Sequence, residues 1–319
     1  MKEQNNIILS IIIPIYNEAD NVEHLLGELR KCFTEVMDKI EFVFVDDGSA
    51  DNTLQILELK IKDLNCNAKI VKLSKNYGSH PALRAGIFHA TADNITFLPA
   101  DLQDPPTLPM TLLAELNKGN DIVWAQREST KAKWAEKSFS LFYAKIMRKY
   151  AIANYPLKGF DIVIFNEKVK RCLIDNAEAN SSLFLQILNL GFKQSYISYH
   201  KTERKFGASK WTFKSKIKLF IDSFVSFSYA PIRFVTVIGI FLFLLGIIWS
   251  AYLILRKLLA DDLESGWPAL VSILMIGFGI TNISLGIIAE YLWRTLDSSR
   301  KRPIFIVEKI IKFNPHETT

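Results

Sequence analysis

Cysteine is scarce in this chain: Cys32, Cys66 and Cys172 are the only three in 319 residues. An odd, widely spaced set without a Cys-x-x-Cys pair suits a reducing compartment and argues against a zinc site. Internal repeats and low-complexity segments are absent. A secretory leader is not expected either. The Ile-rich run after Met1-Lys2-Glu3 is cut off by Pro14, Asn17 and Glu18 with no small-residue cleavage site, so a first strand is expected there. The formal charge of +6 could suggest a nucleic-acid binder, yet where the basic residues cluster argues against it. The basic residues gather instead beside long uncharged stretches, where anionic lipid is the expected partner.

Those stretches are the first positive feature. No charged residue occurs from Phe234 to Leu255 or from Trp267 to Ala289, and each run is long enough as a helix to cross a hydrocarbon core of roughly 30 Å. Two transmembrane helices are expected. Gly239, Gly246, Gly277, Gly279 and Gly286 permit close helix contact, which leaves a homo-oligomer open. Lys214, Lys216, Lys218 and Arg233 precede the first run and Arg294, Arg300, Lys301 and Arg302 follow the second, whereas the connecting loop sets Arg256 and Lys257 against Asp261, Asp262 and Glu264. The positive-inside rule then puts both termini and the large amino-terminal domain on the cytoplasmic side of the plasma membrane. Just before the first run, Trp211 to Phe227 mixes Lys with Trp, Phe and Ile, as a helix lying in the interface does.

The amino-terminal part alternates strand and helix patterns. Ile7 to Ile13 is β-branched and ends at Pro14-Ile15-Tyr16-Asn17-Glu18, before the helical spacing of Val22, Leu25, Leu26 and Leu29. Phe42-Val43-Phe44-Val45 ends at Asp46-Asp47-Gly48-Ser49-Ala50-Asp51, before Leu54, Ile56, Leu57 and Leu59. Ile95 to Leu98 ends at Pro99-Ala100-Asp101-Leu102-Gln103-Asp104-Pro105-Pro106. Such alternation predicts a parallel sheet with every polar tip at the carboxyl edge, where open α/β sheets bind ligands. Hard oxygen donors at that edge suit Mg²⁺ or Mn²⁺ bridging the phosphates of a nucleotide sugar.

In this order and spacing the three tips resemble those of the inverting family 2 glycosyltransferases of GT-A fold. The resemblance is nearest to the polyprenyl-phosphate glycosyltransferases, which include dolichol-phosphate mannose synthase and bacterial undecaprenyl-phosphate enzymes. It implies a Rossmann-like α/β domain over 1–210, an interfacial segment over 211–232, a two-span membrane domain over 233–294 and a cytoplasmic tail over 295–319. It also implies transfer of one sugar from a nucleotide donor, UDP by default and GDP as the alternative, to a polyprenyl phosphate. A processive polysaccharide synthase of the same superfamily is the rival enzyme, but the chain lacks the Gln-x-x-Arg-Trp signature of such synthases and their additional spans. A non-catalytic membrane scaffold is the rival outside enzymes.

The resemblance assigns the nucleotide sugar to Pro14, Tyr16, Asn17, Glu18, Val45, Asp46, Asp47, Lys75, Asn76, Ala100 and Asp101. Lys75 and Asn76 either touch the nucleotide or shape their loop, and Asp46, Asp47 and Ser49 are equally suited to capping a helix. At the metal site the family usually carries Asp-x-Asp-x-Gln. Here Pro99 takes the place of the first carboxylate, so Asp101 and Gln103 remain and weaker metal binding is expected. The resemblance further implies that Arg127, Arg204, Ser209 and Lys210 hold the acceptor phosphate, with membrane lipid headgroups as the competing partner for Arg204, Lys205 and Lys210. Asp161, in Gly159-Phe160-Asp161, joins Asp101 as a candidate catalytic residue. A phosphate acceptor with a second pKa of about 6 needs little help from a base, so Asp161 is assigned mainly to positioning.

Overall fold

The β-branched runs become central strands because both of their faces are covered. In a computed structural model, β1 (Leu9–Ile15) and β2 (Ile40–Asp46) are buried almost throughout, as expected of parallel strands sandwiched between helices. The structure describes residues 7–128, 134–152, 155–156, 159–178, 181–200, 266–300 and 302–315, with scattered helical positions between 234 and 259. Two compact units result, Met1–Ser223 with Pro303–Thr319, and Phe224–Arg302.

The first unit is built on an eight-stranded sheet in the order β7-β5-β6-β4-β1-β2-β3-β8. The remaining strands are β3 (Asn67–Leu73), β4 (Ile95–Phe97), β5 (Ile122–Arg127), β6 (Ile162–Phe165), β7 (Gln194–Tyr199) and β8 (Val307–Phe313). β1 pairs in parallel with β2 and β4, β2 with β3, and β5 with β7. β6 runs antiparallel to β4 and β5, and β8 antiparallel to β3. The helices are α1 (Ala19–Phe33), α2 (Thr53–Lys60), α3 (Ser79–His89), α4 (Leu108–Leu116), α5 (Trp134–Tyr150), α6 (Glu167–Asp175) and α7 (Leu183–Asn189). On α1 the expected spacing holds: Val22, Leu25, Leu26, Leu29 and Phe33 are buried, and Phe33 packs edge-on against Phe42 with ring centroids 5.6 Å apart. On α2 the apolar pattern is less faithful, because Leu57 is buried while Leu59 is exposed.

β8 is an element the sequence reading did not contain. The segment 295–319 was expected to be a tail, yet Val307 to Phe313 adds an edge strand, with Leu73 opposite Val307 and Ala68 opposite Phe313. Ile311 and Phe313 pack against the hydrophobic core.

A polar clasp closes the amino-terminal edge of the sheet. Glu41, 2% exposed, accepts hydrogen bonds from Ser10 Oγ and from the Thr91 backbone N–H at 2.7 Å, and pairs with Lys69 Nζ at 2.7 Å. Lys69 also donates to the His89 carbonyl, and Lys170 to the carbonyls of Ala90 and Ala92. Burial opposes ionisation of Glu41, but these hydrogen bonds and the Lys69 charge outweigh it and hold the carboxyl below its ordinary range. The turn between α3 and β4 is thereby pinned to β1 and β2.

In the second unit α8 (Trp267–Ser299) runs for 33 residues. Among the described residues, no helix is long and apolar enough to cross a membrane. Phe234, Val237, Phe241, Leu244, Ile248 and Leu255 recur at helical spacing and are all exposed, as are Leu270, Ile273, Leu274, Phe278, Ile283 and Leu285 on α8. The expected interfacial segment 211–232 and much of the expected first span lie outside the described residues.

Candidate active site

Because β1 and β2 are parallel with Ile15 opposite Asp46, their tips emerge side by side. The Asp47 N–H donates to the Ile15 carbonyl at 2.9 Å. Asn17 takes a left-handed conformation at φ 50°, which Asn tolerates better than most residues. Its backbone N–H donates to Ser49 Oγ at 3.0 Å and its Oδ1 accepts from the Ala50 N–H at 2.9 Å. The Glu18 N–H donates to Thr53 Oγ1 at 2.9 Å, and Glu18 Oε2 accepts from Asn21 Nδ2 at 2.8 Å. Asn17 and Glu18 therefore stitch the first tip to the second, while Tyr16 and Pro14 are half-buried beside them.

The two aspartates of the second tip differ. Asp46 is fully buried; its Oδ1 accepts from the Ser49 N–H at 3.1 Å, closing a turn, and its Oδ2 has no hydrogen-bond partner among the described residues. Asp47 reaches across to the loop between β3 and α3 and accepts from the N–H groups of Tyr77 at 2.7 Å and Gly78 at 2.9 Å. Burial pushes the Asp47 carboxyl up to about 6, opposed by those two N–H groups and helped by the neighbouring Asp46. Neither aspartate nor Ser49 caps a helix; the residue preceding α2 is Asn52, and the Thr53 N–H is taken by Asp51 at 3.0 Å. Gly48, at φ 68°, allows the third loop to approach: a Cβ there would sit 2.4 Å from the Lys75 carbonyl carbon. Lys75 and Asn76 are exposed, and the Lys75 ammonium lies 5.1 Å from the Tyr77 ring centroid. Val45 is fully buried within β2.

After β4, Pro99, Asp101 and Gln103 are half-buried and Ala100 is buried. The Gln103 N–H donates to Asp101 Oδ1 at 3.2 Å around Leu102, whose φ is 53°. Among the described residues no group of three or more His, Cys, Asp or Glu side chains is placed to hold a metal ion. One carboxylate and one amide oxygen fit Mg²⁺ or Mn²⁺ only when a diphosphate completes the shell, which is how Mg²⁺ is commonly held.

A second cluster occupies the tips of β5, β6 and β7. Arg127 ends β5 opposite Tyr199 at the end of β7, and Asp161 enters beside them, its N–H donating to the Ala125 carbonyl at 3.1 Å. Arg127 Nε and Nη2 both donate to the Asp161 carboxylate, a two-pronged pair that makes the guanidinium hold its proton more tightly. The Tyr199 hydroxyl lies 2.5 Å from Asp104 Oδ1 and 3.1 Å from Asp161 Oδ2. Burial first, then the two carboxylates, push the Tyr199 hydroxyl pKa far up. Asp104 is 1% exposed. Sequence reasoning assigned no role to Tyr199 or Asp104; Asp104 stood inside the octapeptide, whereas Tyr199 carried no motif and only the β5–β7 register reveals it. Arg204, Ser209 and Lys210 lie outside the described residues.

His80 lies in the first turn of α3 and packs edge-on against Phe184 at 5.8 Å. Burial, then the Arg84 charge, lower its pKa to about 4, so the imidazole is neutral near pH 7. Arg84 is itself buried, bonded to Gln186 at 2.7 Å and Ser181 at 3.3 Å.

The acidic tips and the arginine–carboxylate pair thus share one edge of the α/β sheet. Residues 10–171 match the family described as glycosyl transferase family 2. An uncharacterized glycosyltransferase of Synechocystis is 34% identical, covering 95% of this chain and 96% of its own length. An undecaprenyl-phosphate 4-deoxy-4-formamido-L-arabinose transferase of Shewanella sediminis is 31% identical, covering 98% and 95%. Among solved structures, a mannosyltransferase of Pyrobaculum calidifontis in complex with GDP-Man and Mn²⁺ is 16% identical over 91% of this chain and 87% of its own, with a TM-score of 0.42. The chain belongs to glycosyl transferase family 2 and is a glycosyltransferase.

Proposed function

We propose that this enzyme transfers one sugar from a nucleotide donor, UDP-linked by default, to a polyprenyl phosphate at the cytoplasmic face of the plasma membrane. The observation that carries the reading is a shared edge. β7, the last described strand before the second unit in the sequence, ends at the carboxyl edge of the sheet, and β8, the first strand after it, begins there, at the edge where Asp47, Asp101, Arg127 and Asp161 stand. An acceptor whose tail lies in lipid needs its phosphate delivered there. The name printed for the Shewanella relative supports the same acceptor.

The membrane assignment rests on the uncharged runs 234–255 and 267–289 and on the outward-facing apolar side chains of the second unit. Because the chain leaves the first unit and returns to it as β8, the number of crossings between them is even, and two spans satisfy this. Reporter fusions are expected to place Ser265 outside and both ends inside; the two ends on opposite faces would refute it.

In the proposed reaction an acceptor phosphate oxygen attacks the anomeric carbon from the side opposite the nucleoside diphosphate, which departs with the bonding pair and inverts the centre. The acceptor dianion is already nucleophilic near pH 7. Asp161 holds the Arg127 guanidinium in one plane, presenting Nη1 to the acceptor phosphate, with Arg204, Ser209 and Lys210 as further phosphate ligands. Asp101 and Gln103 would hold the divalent ion, which supplies positive charge to the leaving diphosphate when bound. Tyr16, Glu18, Asp47 and the loop carrying Lys75 and Asn76 bind the nucleotide.

The test is incubation of the full chain with undecaprenyl phosphate and a panel of nucleotide sugars, followed by mass spectrometry of the lipid fraction. A donor-dependent glycosyl phosphate lipid is expected. Donor turnover with no lipid product in any combination would overturn the reading.

A further inference from the structure

We propose that Tyr199 is a positioning residue that ties the donor-side loop to the acceptor-side ion pair and so sets the distance across which the sugar moves. The inference rests on the reading above, transfer to a phosphate-bearing acceptor.

The connection follows from strand order. The donor-side loop leaves β4, and Asp104 lies in it three residues beyond Asp101. The ion pair stands on the other side, with Asp161 leading into β6 and Arg127 ending β5. The strands run β7-β5-β6-β4, so Tyr199 reaches inward from the outermost of the four. Its single hydroxyl is within hydrogen-bond distance of both carboxylates, 2.5 Å from Asp104 and 3.1 Å from Asp161. One hydroxyl hydrogen serves one acceptor fully at a time, and the shorter contact marks Asp104 as the principal one. Asp161 meanwhile receives two N–H groups from Arg127. A displacement of the loop therefore travels through the hydroxyl to the carboxylate that orients Arg127.

Both hydrogen-bonded ends are sheltered: Asp104 is 1% and Tyr199 7% exposed. Water does not readily replace the hydroxyl there, and low local polarity strengthens the contact. Transfer requires the acceptor oxygen and the anomeric carbon to meet at about 3–3.5 Å, and misplacement by about 1 Å costs on the order of a hundredfold in rate. A link between the two loops acts on that separation without touching either ligand.

Tyr199→Phe retains the buried ring and removes only the hydroxyl. In vesicles containing undecaprenyl phosphate, supplied with the donor that wild type turns over, the variant is expected to lose about ten- to a hundredfold in kcat for lipid transfer. Nucleotide affinity and the slow hydrolysis of donor by water are expected to stay within about twofold, because neither requires the two loops in register. Asp104→Asn keeps an acceptor oxygen for the hydroxyl and should lose less, and the double variant should be no worse than Tyr199→Phe alone. If Tyr199→Phe does not fold, Asp104→Asn must show the same split between transfer and hydrolysis. Equal losses of transfer, hydrolysis and nucleotide affinity, or additive single losses, would overturn the proposal. Wild type that makes no lipid product refutes the acceptor reading; wild type that makes it while Tyr199→Phe transfers normally refutes only the role of Tyr199.

Discussion

Replacing Gly48 by alanine is expected to open the nucleotide side of the site. The residue sits at φ 68°, and its added Cβ would lie 2.4 Å from the Lys75 carbonyl carbon, 2.7 Å from Asn76 N and 2.8 Å from Lys75 Cα. These are backbone atoms, so no rotamer change relieves the contact, and ordinary packing at about 3.4 Å requires the loop to retreat by about 1 Å. The left-handed conformation costs an L-residue about 1 kcal/mol. Retreat also stretches the bonds from the Tyr77 and Gly78 N–H groups to Asp47, now 2.7 and 2.9 Å, and weakening two hydrogen bonds to a buried carboxylate adds about 2–3 kcal/mol. The expected loss is about 3–4 kcal/mol of stability, with nucleotide affinity falling at least about tenfold because Lys75 and Asn76 move with the loop. Denaturant titration and calorimetry with UDP would measure both. Gly119 supplies the control: its φ is 90° but nothing lies within 4 Å of the added Cβ, so Gly119→Ala should cost only about 1 kcal/mol and leave nucleotide binding unchanged. If Gly48→Ala costs no more than Gly119→Ala and binds UDP as tightly as wild type, close approach of the two loops is not what shapes this site.

Asp47, with its folded pKa raised to about 6, binds a proton more readily in the folded state, so its contribution to stability falls as pH rises from about 4 through 6, by roughly 3 kcal/mol in all; Asp47→Asn should flatten that part of the stability profile, and an unchanged slope would refute the shift. Glu41→Gln removes the charge facing Lys69 and should destabilise by about 3–5 kcal/mol without altering nucleotide affinity. Because the Glu41 carboxyl is lowered in the folded state, its stabilisation in wild type is present above the ordinary carboxylate pKa and is lost as pH falls through the folded value, an acid limb the variant should lack. Asp101→Ala is expected to abolish transfer and Gln103→Ala to weaken it, and chelator should do the same to wild type; full turnover in chelator by both wild type and Asp101→Ala would exclude the metal role.

Local signals were the legible ones. The runs ending at Pro14, Asp46 and Leu98 are visible because strands buried on both faces need uninterrupted apolar sequence, and the polar residues that follow have to be tips. The spacing on α1 is visible because one face packs on the sheet. That the tips share an edge also follows from the alternation of strand and helix. What the tip residues do there was less legible. Asp46 turned out to close a turn and Asp47 to hold a neighbouring loop, since a carboxylate at a strand end looks the same in sequence whether it accepts from backbone or from ligand.

The features that escaped the sequence share one property: each depends on partners far apart in the chain. Glu41 draws on Ser10, Lys69 and Thr91, Tyr199 on Asp104 and Asp161, and β8 on a strand more than two hundred residues earlier. A glutamate inside an apolar strand is an irregularity until its lysine is known, and a tyrosine at the end of an edge strand is ordinary until two carboxylates are found at its hydroxyl. Such contacts close large loops and are specified by the sheet's strand order rather than by a local motif. The same dependence explains where they lie. One network locks the amino-terminal edge and leaves it rigid, while the other lies among the tips at the carboxyl edge, where a shift of one loop changes the spacing between donor and acceptor groups.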